Sequence, residues 1–109
     1  MTYDASSTVA VEPPQLPARL AFTVSPNPSL GDLTASFTLP RAVPRAELVV
    51  FDPAGRRVRT LVHGGLDAGE HRIVWDGRAD DGTRAPAGIF FIRLDTSVGS
   101  VARRVLMLR

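Results

Sequence analysis

The chain has 109 residues, a formal net charge of +2 and no cysteine, and this length fits one domain with a modest hydrophobic core. The lack of cysteine excludes a disulfide framework, a thiol nucleophile and a cysteine-based zinc site. Arginine supplies all 13 Lys/Arg cations. The densest cluster (Arg56, Arg57 and Arg59) has no interleaved aromatic residues to stack on bases, so we predict no nucleic-acid partner.

The first part of the chain is polar and rich in proline and serine, as in Ser6-Ser7-Thr8 and Pro13-Pro14-Gln15-Leu16-Pro17. Proline at this density favours an extended spacer. We interpret residues 1–19 as a linker that follows an upstream domain, with an ordinary frayed terminus as the alternative. No segment has the length of a transmembrane helix, and the N-terminus lacks the basic flank and apolar stretch of a signal peptide.

Short apolar runs separated by Gly, Pro, Asn and Asp predict seven β-strands. In chain order the predicted strands are Leu20–Val24, Leu33–Leu39, Ala46–Phe51, Val58–Val62, His71–Trp75, Ile89–Leu94 and Val101–Leu108. Pro26-Asn27-Pro28 predicts a corner after the first strand, and Gly64-Gly65 predicts the end of the fourth. No apolar stripe with the period of a helix occurs, so we expect little helix.

The alternation within the runs predicts which side chains face the core. Leu48 and Val50 should point inward, which places Val49 and Phe51 on the other face, and Trp75 should be central. The last strand is apolar on both faces, with Val105 and Met107 on one and Leu106 and Leu108 on the other. Such a strand is either central in its sheet or an edge that pairs with other chains. Together these features predict an all-β fold, an antiparallel immunoglobulin-like β-sandwich of about seven strands over residues 20–109.

A series of short motifs follows one another along most of the chain. They are Pro26-Asn27-Pro28, Leu39-Pro40, Phe51-Asp52-x-x-Gly55-Arg56, Ala68-Gly69-x-His71, Trp75-Asp76-Gly77, Asp81-Gly82, Gly88-Ile89-Phe90-Phe91-x-Arg93-Leu94 and Arg104-Val105-Leu106-Met107-Leu108-Arg109. In this order they resemble the immunoglobulin-like C-terminal domain of many secreted bacterial proteins. That domain is similar to the one in flagellar hook-capping proteins and to the sorting domains of the type IX secretion system.

The resemblance implies a non-catalytic module that sorts or attaches a larger protein to the bacterial cell surface. An upstream catalytic or binding domain would be the cargo, and secretion or outer-membrane machinery would be the partner. The expected recognition residues are the turn residues Gly55 and Arg56 and the closing residues Arg103, Arg104, Val105, Leu106, Met107, Leu108 and Arg109. Docking by strand-edge pairing is the expected mode, and the same edge could support a dimer.

Two other functions stay open on the sequence. A carbohydrate-binding module needs exposed aromatic side chains, whereas Trp75, Phe90 and Phe91 are expected in the core. A structural assembly module, as in flagellar hook capping, is the second alternative.

Catalysis, metals and cofactors find little support in the sequence. His63 is expected in a solvated turn, and His71 is expected to be a hydrogen-bonded structural residue. Asp76, Asp80 and Asp81 lie near Gly77 and Gly82, a composition seen in calcium loops, but the spacing lacks the alternating ligands of an EF-hand. Ser and Thr have no His-Asp partner pattern. We predict no enzyme activity, no cofactor and no metal.

Overall fold

The computed structural model describes residues 21–108, and every regular element in that range is a β-strand. The strands are β1 (Ala21–Ser25), β2 (Leu33–Leu39), β3 (Val43–Phe51), β4 (Arg57–Leu66), β5 (Gly69–Trp75), β6 (Gly88–Thr96) and β7 (Gly99–Met107). The predicted linker (residues 1–19), Leu20 and Arg109 lie outside the described residues. In residues 21–108 no helix could cross a membrane.

The strands form two antiparallel sheets packed face to face. One sheet has three strands in the order β1-β2-β5, and the other has four in the order β4-β3-β6-β7. The chain enters the first sheet, crosses to the second after β2, returns at β5 and crosses again to β6. This arrangement confirms the predicted immunoglobulin-like sandwich of seven strands.

The core lies between the sheets and follows the predicted alternation. Leu48 and Val50 are fully buried, as are Val105 and Met107 in β7. Trp75 is the largest fully buried side chain, and its ring meets that of Phe90 edge to face with centroids 5.5 Å apart. The central position predicted for Trp75 is therefore confirmed.

The predicted end of β4 at Gly64-Gly65 is wrong, because the strand continues to Leu66. Gly64 pairs with Ala46 and Leu66 pairs with Val43, with a register shift between these two pairs. Gly64 has a φ of 140°, a conformation that residues with a side chain rarely adopt. The glycines thus form an irregularity inside a strand, which is their second common role in sheets.

Two smaller expectations also need correction. His63 lies within β4 and not in a turn, and its Nδ1 is 3.4 Å from a carboxylate oxygen of Glu47. Phe91 is not in the core, since its side chain is 37% exposed on the outer face of the four-stranded sheet. His71 agrees with its prediction: its ring stacks on that of Phe37 with centroids 5.3 Å apart, and Nε2 lies 2.8 Å from the carbonyl oxygen of Asp67.

Candidate docking surface

The corner that contains Asn27 and Ser29 is bonded to the outer edge of β7. The Ser29 amide donates to the carbonyl of Leu106 (2.8 Å), and the Leu108 amide donates to the carbonyl of Ser29 (2.7 Å). The side chain of Asn27 donates through Nδ2 to the carbonyl of Arg104 and accepts through Oδ1 from the amide of Leu106, both at 3.0 Å. The edge backbone of residues 104–108 is therefore already paired within the chain.

The corner itself is held by a buried serine. Ser29 Oγ donates to the carbonyl of Asp32 (2.8 Å) and accepts from the amide of Gly31 (3.2 Å). Because these bonds fix the corner, a partner strand could pair with residues 104–108 only by displacing Asn27 and Ser29. The side chains of β7, rather than its backbone edge, are what this part of the chain offers to a partner.

Two arginines and two phenylalanines form a row across the outer face of the four-stranded sheet. Arg57 in β4 is opposite Phe51 in β3, Phe51 is opposite Phe91 in β6, and Phe91 is opposite Arg104 in β7. The Arg57 guanidinium lies 5.9 Å from the centre of the Phe51 ring and 3.4 Å from a carboxylate oxygen of Glu47. We call these four residues the Arg-Phe-Phe-Arg row.

Val49 points toward the outer face of the four-stranded sheet, yet its side chain is buried. Val49 lies between Glu47 and Phe51 on the same face of β3, and Arg57 contacts both of those residues. The long stem of the arginine can thus shield the valine while its charge stays at the surface. The outward face of β3 at Val49 is thus covered by side chains of the sheet itself.

An apolar strip adjoins the Arg-Phe-Phe-Arg row at the end of the sandwich where β7 ends. Ile89 is opposite Leu106; these side chains are 41% and 37% exposed, and that of Leu108 is 42% exposed. A recess of about 380 Å³ opens beside them, lined by Asn27, Pro28, Ile89, Arg104, Val105 and Leu106. The recess is open to solvent and has one arginine at its rim.

The same face becomes polar toward the other end of the sandwich. Glu47 is opposite both His63 and Asp95, and Asp95 is opposite Ser100. The hydroxyl of Ser100 donates to Asp95 and, with the nearby arginines Arg45 and Arg93, holds the pKa of that carboxyl below its usual range. The outer face therefore changes from apolar and cationic at one end to polar, with carboxylates and arginines side by side, at the other.

The turn between β3 and β4 is organised by Asp52. Its carboxylate accepts from the amides of Ala54 and Arg56, both at 2.9 Å, and pairs with the Arg56 side chain at 3.0 Å. The backbone N–H of Arg56 is the main cause of the lowered pKa of Asp52. Gly55 has the positive φ that the turn needs. The charge of Arg56 is thus already balanced within the turn.

A cleft of about 550 Å³ separates this turn from the segment between β5 and β6. The acidic side chains of that segment accept hydrogen bonds from the segment itself and from β4. Asp76 accepts from Arg59 (3.3 Å) and from the amide of Arg78 (3.0 Å), and Asp81 accepts from the amide and hydroxyl of Thr83. Asp80 accepts from the amide of Thr60 (3.1 Å).

These bonds account for the calcium-like composition of the segment as ordinary loop chemistry. Within residues 21–108 no group of three or more acidic or histidine side chains is arranged to hold a metal ion.

The structure brings the two predicted recognition groups to the same end of the sandwich. Arg104, Leu106 and Leu108 are exposed on the outer face, and the turn with Gly55 and Arg56 lies near the other end of the Arg-Phe-Phe-Arg row. The guanidinium of Arg103 instead lies 5.9 Å from the centre of the Phe22 ring, at the gap between the sheets. Arg109 is outside the described residues.

Two of the predicted residues cannot touch a partner while the chain is folded. Val105 and Met107 are each 1% exposed and pack in the core. Their role is to fix β7 beneath the outward residues. Sequence reasoning missed Ile89 and Phe91, although the charged Arg93 in the same strand marks the outer face and, by alternation, places both residues on it.

The model of the FlgD Ig-like domain family matches residues 23–100. Among curated proteins, the basal-body rod modification protein FlgD of Salmonella typhimurium is 46% identical over 50 residues, which are 46% of this chain and 22% of that protein. The Escherichia coli protein of the same name is 36% identical over 61 residues, 56% of this chain and 26% of that protein. The chain thus matches about a quarter of the length of these relatives.

The fold occurs in other solved structures. FlgD from P. aeruginosa has a TM-score of 0.55 and 22% identity, with 82% of this chain and 71% of that chain covered. PorZ of Porphyromonas gingivalis, described as an essential bacterial surface component of the type IX secretion system, has a TM-score of 0.50 and 20% identity, with 82% and 12% covered. Because the family model spans well over half of the residues, the chain belongs to the FlgD Ig-like domain family.

Proposed function

We propose that the chain is a non-catalytic assembly module of a larger exported bacterial protein, and that it acts as this domain does in flagellar hook capping. The observation that carries the proposal is the family match over residues 23–100, together with curated relatives named as basal-body rod modification proteins. This reverses the order expected from the motifs, which placed sorting first and assembly second.

The geometry agrees with a module that binds another protein. The sandwich is closed at the β7 edge by its own corner, and the outer face of the four-stranded sheet presents apolar side chains and arginines. Aromatic residues and arginine are enriched at protein interfaces. In the cleft near Asp52, the carboxylates of Asp52, Asp80 and Asp81 each accept a hydrogen bond from a backbone amide, so none of them is a free base.

Cell fractionation tests the assembly proposal. The epitope-tagged protein, expressed from its own gene, should co-purify with hook–basal bodies, and deletion of residues 21–108 should remove it from that fraction. Tagged protein that stays entirely in other fractions while hook–basal bodies are recovered intact would contradict the proposal.

Sorting by the type IX system is the second candidate, supported by the ordered motifs that end in Arg104 to Arg109. Its test is a reporter fused to the chain in a bacterium with a working type IX system, with and without residues 105–109. If the assembly proposal is right, the reporter stays in the periplasm in both cases. Reporter at the cell surface only with the intact terminus would favour sorting.

Carbohydrate binding gains one observation from the structure, since Phe51 and Phe91 lie side by side on an outer face and Phe91 is exposed. Affinity electrophoresis through polysaccharide gels tests it. We expect no retardation, because Arg104 at one end of the row favours an acidic partner over a neutral sugar. Retardation that is lost in Phe91→Ser would establish a sugar-binding face instead.

A further inference from the structure

We propose that the Arg-Phe-Phe-Arg row and the adjoining apolar strip form one docking surface for an acidic partner protein. The occupant would be an exposed apolar segment flanked by carboxylates, with one apolar side chain seated in the recess beside Arg104. The inference rests on the proposed function in that it assigns the surface through which the assembly module binds.

The apolar part of the surface is continuous because its members are direct neighbours in the sheet. Phe51 and Phe91 are cross-strand partners, and so are Ile89 and Leu106. Alternation along β6 and β7 puts Ile89 next to Phe91, and Leu106 next to Leu108, on the same face. A contiguous exposed apolar area on a small domain is characteristic of an interaction site.

The chemistry at the rim favours a negatively charged occupant. Within residues 21–108, Arg104 forms no ion pair, whereas Arg56, Arg57 and Arg59 each have a carboxylate within 4.0 Å. The two carboxylates on this face, Glu47 and Asp95, are not neighbours of Arg104. Asp95 is four residues along β6 from the residue opposite Arg104, Glu47 is opposite Asp95, and each carboxylate has another arginine within 4.0 Å. A carboxylate brought to Arg104 would find a charge and hydrogen-bond donors without displacing an internal partner.

The recess supplies the apolar half of the same contact. Its volume of about 380 Å³ can receive one large side chain, and its walls include Pro28, Ile89 and Leu106. Asn27 fixes one wall through two bonds to the backbone of β7. A wall that is already ordered loses little conformational freedom when a ligand binds, which favours affinity.

A second copy of the chain is a poorer occupant. Two copies that stacked apolar strip on apolar strip would also bring their arginine rows against each other, and like charges at an interface oppose association. Pairing along the β7 edge at residues 104–108 would first have to break the bonds to Asn27 and Ser29. The surface therefore fits a partner of complementary charge better than its own image.

Titration of the full chain with synthetic peptides tests the surface. The probe has leucine and phenylalanine at its centre and aspartate and glutamate at both ends, and the comparison peptide carries arginine at the same ends. Fluorescence anisotropy of the labelled peptides should show binding of the acidic peptide, weakened by rising salt, and at least about tenfold weaker binding of the basic peptide.

Two variants and two matched controls locate the site. Arg104→Glu and Phe91→Ser should each weaken binding of the acidic peptide by about tenfold or more. Arg72→Glu and Val74→Ser change an exposed arginine and an exposed apolar residue on the outer face of the three-stranded sheet, and they should leave it unchanged. Thermal unfolding of each variant shows that the chain is folded, and Arg104→Gln tests loss of the charge without its reversal.

Three results would overturn the inference: no saturable binding of the acidic peptide, equal binding of the two peptides, or equal weakening by the control variants. Dimerisation in light scattering that is abolished by Phe91→Ser would assign the face to a second copy instead. These outcomes leave the assembly proposal standing if the tagged protein still co-purifies with hook–basal bodies. Peptide binding without co-purification would retain the surface and reject the assembly role.

Discussion

Trp75 shows how one side chain links the core to the segment that follows β5. The indole is fully buried against Phe90, and its Nε1 donates to the carbonyl of Arg78 at 2.9 Å. The same carbonyl accepts from Arg59 in β4 at 3.2 Å. The position of the loop between β5 and β6 is thus coupled to the packing of the core.

Replacement of Trp75 by phenylalanine should lower the free energy of unfolding by about 2–3 kcal/mol, because it leaves a cavity and removes the indole hydrogen bond. Urea unfolding followed by circular dichroism measures the change. Val74→Ala, at a 57% exposed neighbour, is the control and should change the value by less than about 0.5 kcal/mol. Similar effects of the two substitutions would refute the central role of Trp75.

Asp52, Asp81 and Asp95 each have a pKa below the ordinary 3.8 of aspartate. The leading causes are the Arg56 amide, the Thr83 hydroxyl and the Ser100 hydroxyl, in that order. A carboxyl with a lowered folded pKa adds stability above its unfolded value, and this contribution disappears as pH falls through the folded value.

We therefore expect the urea midpoint to be nearly constant above about pH 5 and to fall as pH decreases below about 4. Asp52→Asn keeps a side-chain oxygen that can accept hydrogen bonds from the amides of the turn, but the new side chain cannot ionise. Its midpoint should be lower than that of the unsubstituted chain at neutral pH and should approach it at acidic pH. Parallel curves for the two proteins would show that Asp52 has no role in the acid sensitivity.

At the scale of residues, alternation predicted the core well and the outer face poorly. Leu48 and Val50 were placed correctly because the charged Glu47 favours the outer face, which fixes the alternation in the apolar run that follows it. Phe91 was placed in the core because Ile89-Phe90-Phe91-Ile92 is apolar at every position, and the phase of its alternation is marked only by the charged Arg93 that follows. The exposed half of that run is part of the proposed docking surface.

At the scale of elements, β4 shows where turn chemistry misleads. Adjacent glycines commonly end a strand, but here they lie inside β4, at a register shift in its pairing with β3. A Cβ on Gly65 would lie 3.2 Å from the carbonyl oxygen of Val43. From the sequence alone, the two glycines could either end the strand or form an irregularity inside it.

Gly64→Ala should destabilise the fold by about 1–3 kcal/mol, since a φ of 140° is strained for any residue with a side chain. Gly31→Ala is the matched control, because no atom lies within 4 Å of the added Cβ and its φ is outside the strained range. The control should be neutral or slightly stabilising. Chemical denaturation of both variants decides, and a neutral Gly64→Ala would contradict the strained conformation.

The β7 edge is the second element whose behaviour depends on a distant segment. Asn27 is 77 positions from Arg104 in the chain, so the sequence pattern of β7 alone left two possibilities, a central strand or an open edge. The structure shows that β7 is an edge strand of its sheet. The corner that contains Asn27 and Ser29 is hydrogen-bonded to the last residues of this strand.

Asn27→Ala should remove two hydrogen bonds to β7 and reduce stability by about 1–2 kcal/mol. It should also increase self-association, because the edge of β7 becomes available to other strands. Asn27→Asp can still accept from the Leu106 amide but cannot donate to the Arg104 carbonyl, so its effects should be intermediate. Denaturation and light scattering measure the two effects, and an unchanged Asn27→Ala protein would refute the edge-covering role.

At the scale of the whole molecule, the antiparallel sandwich could be predicted because seven runs and their turns agree with one architecture. The function could not be read from the fold, since such sandwiches host many functions. What distinguishes this molecule is the difference between its two outer faces. The three-stranded sheet exposes mainly small polar and charged residues, whereas the four-stranded sheet presents the Arg-Phe-Phe-Arg row and the apolar strip.

Site-specific photo-crosslinking in living cells tests the central claim most directly. A photoreactive amino acid at position 91 of the full-length protein should capture a flagellar rod or hook subunit, identified by mass spectrometry, and the same amino acid at position 74 should not. Capture of an outer-membrane secretion component from position 91, or of the same subunit equally from both positions, would contradict an assembly module that docks through the outer face of its four-stranded sheet.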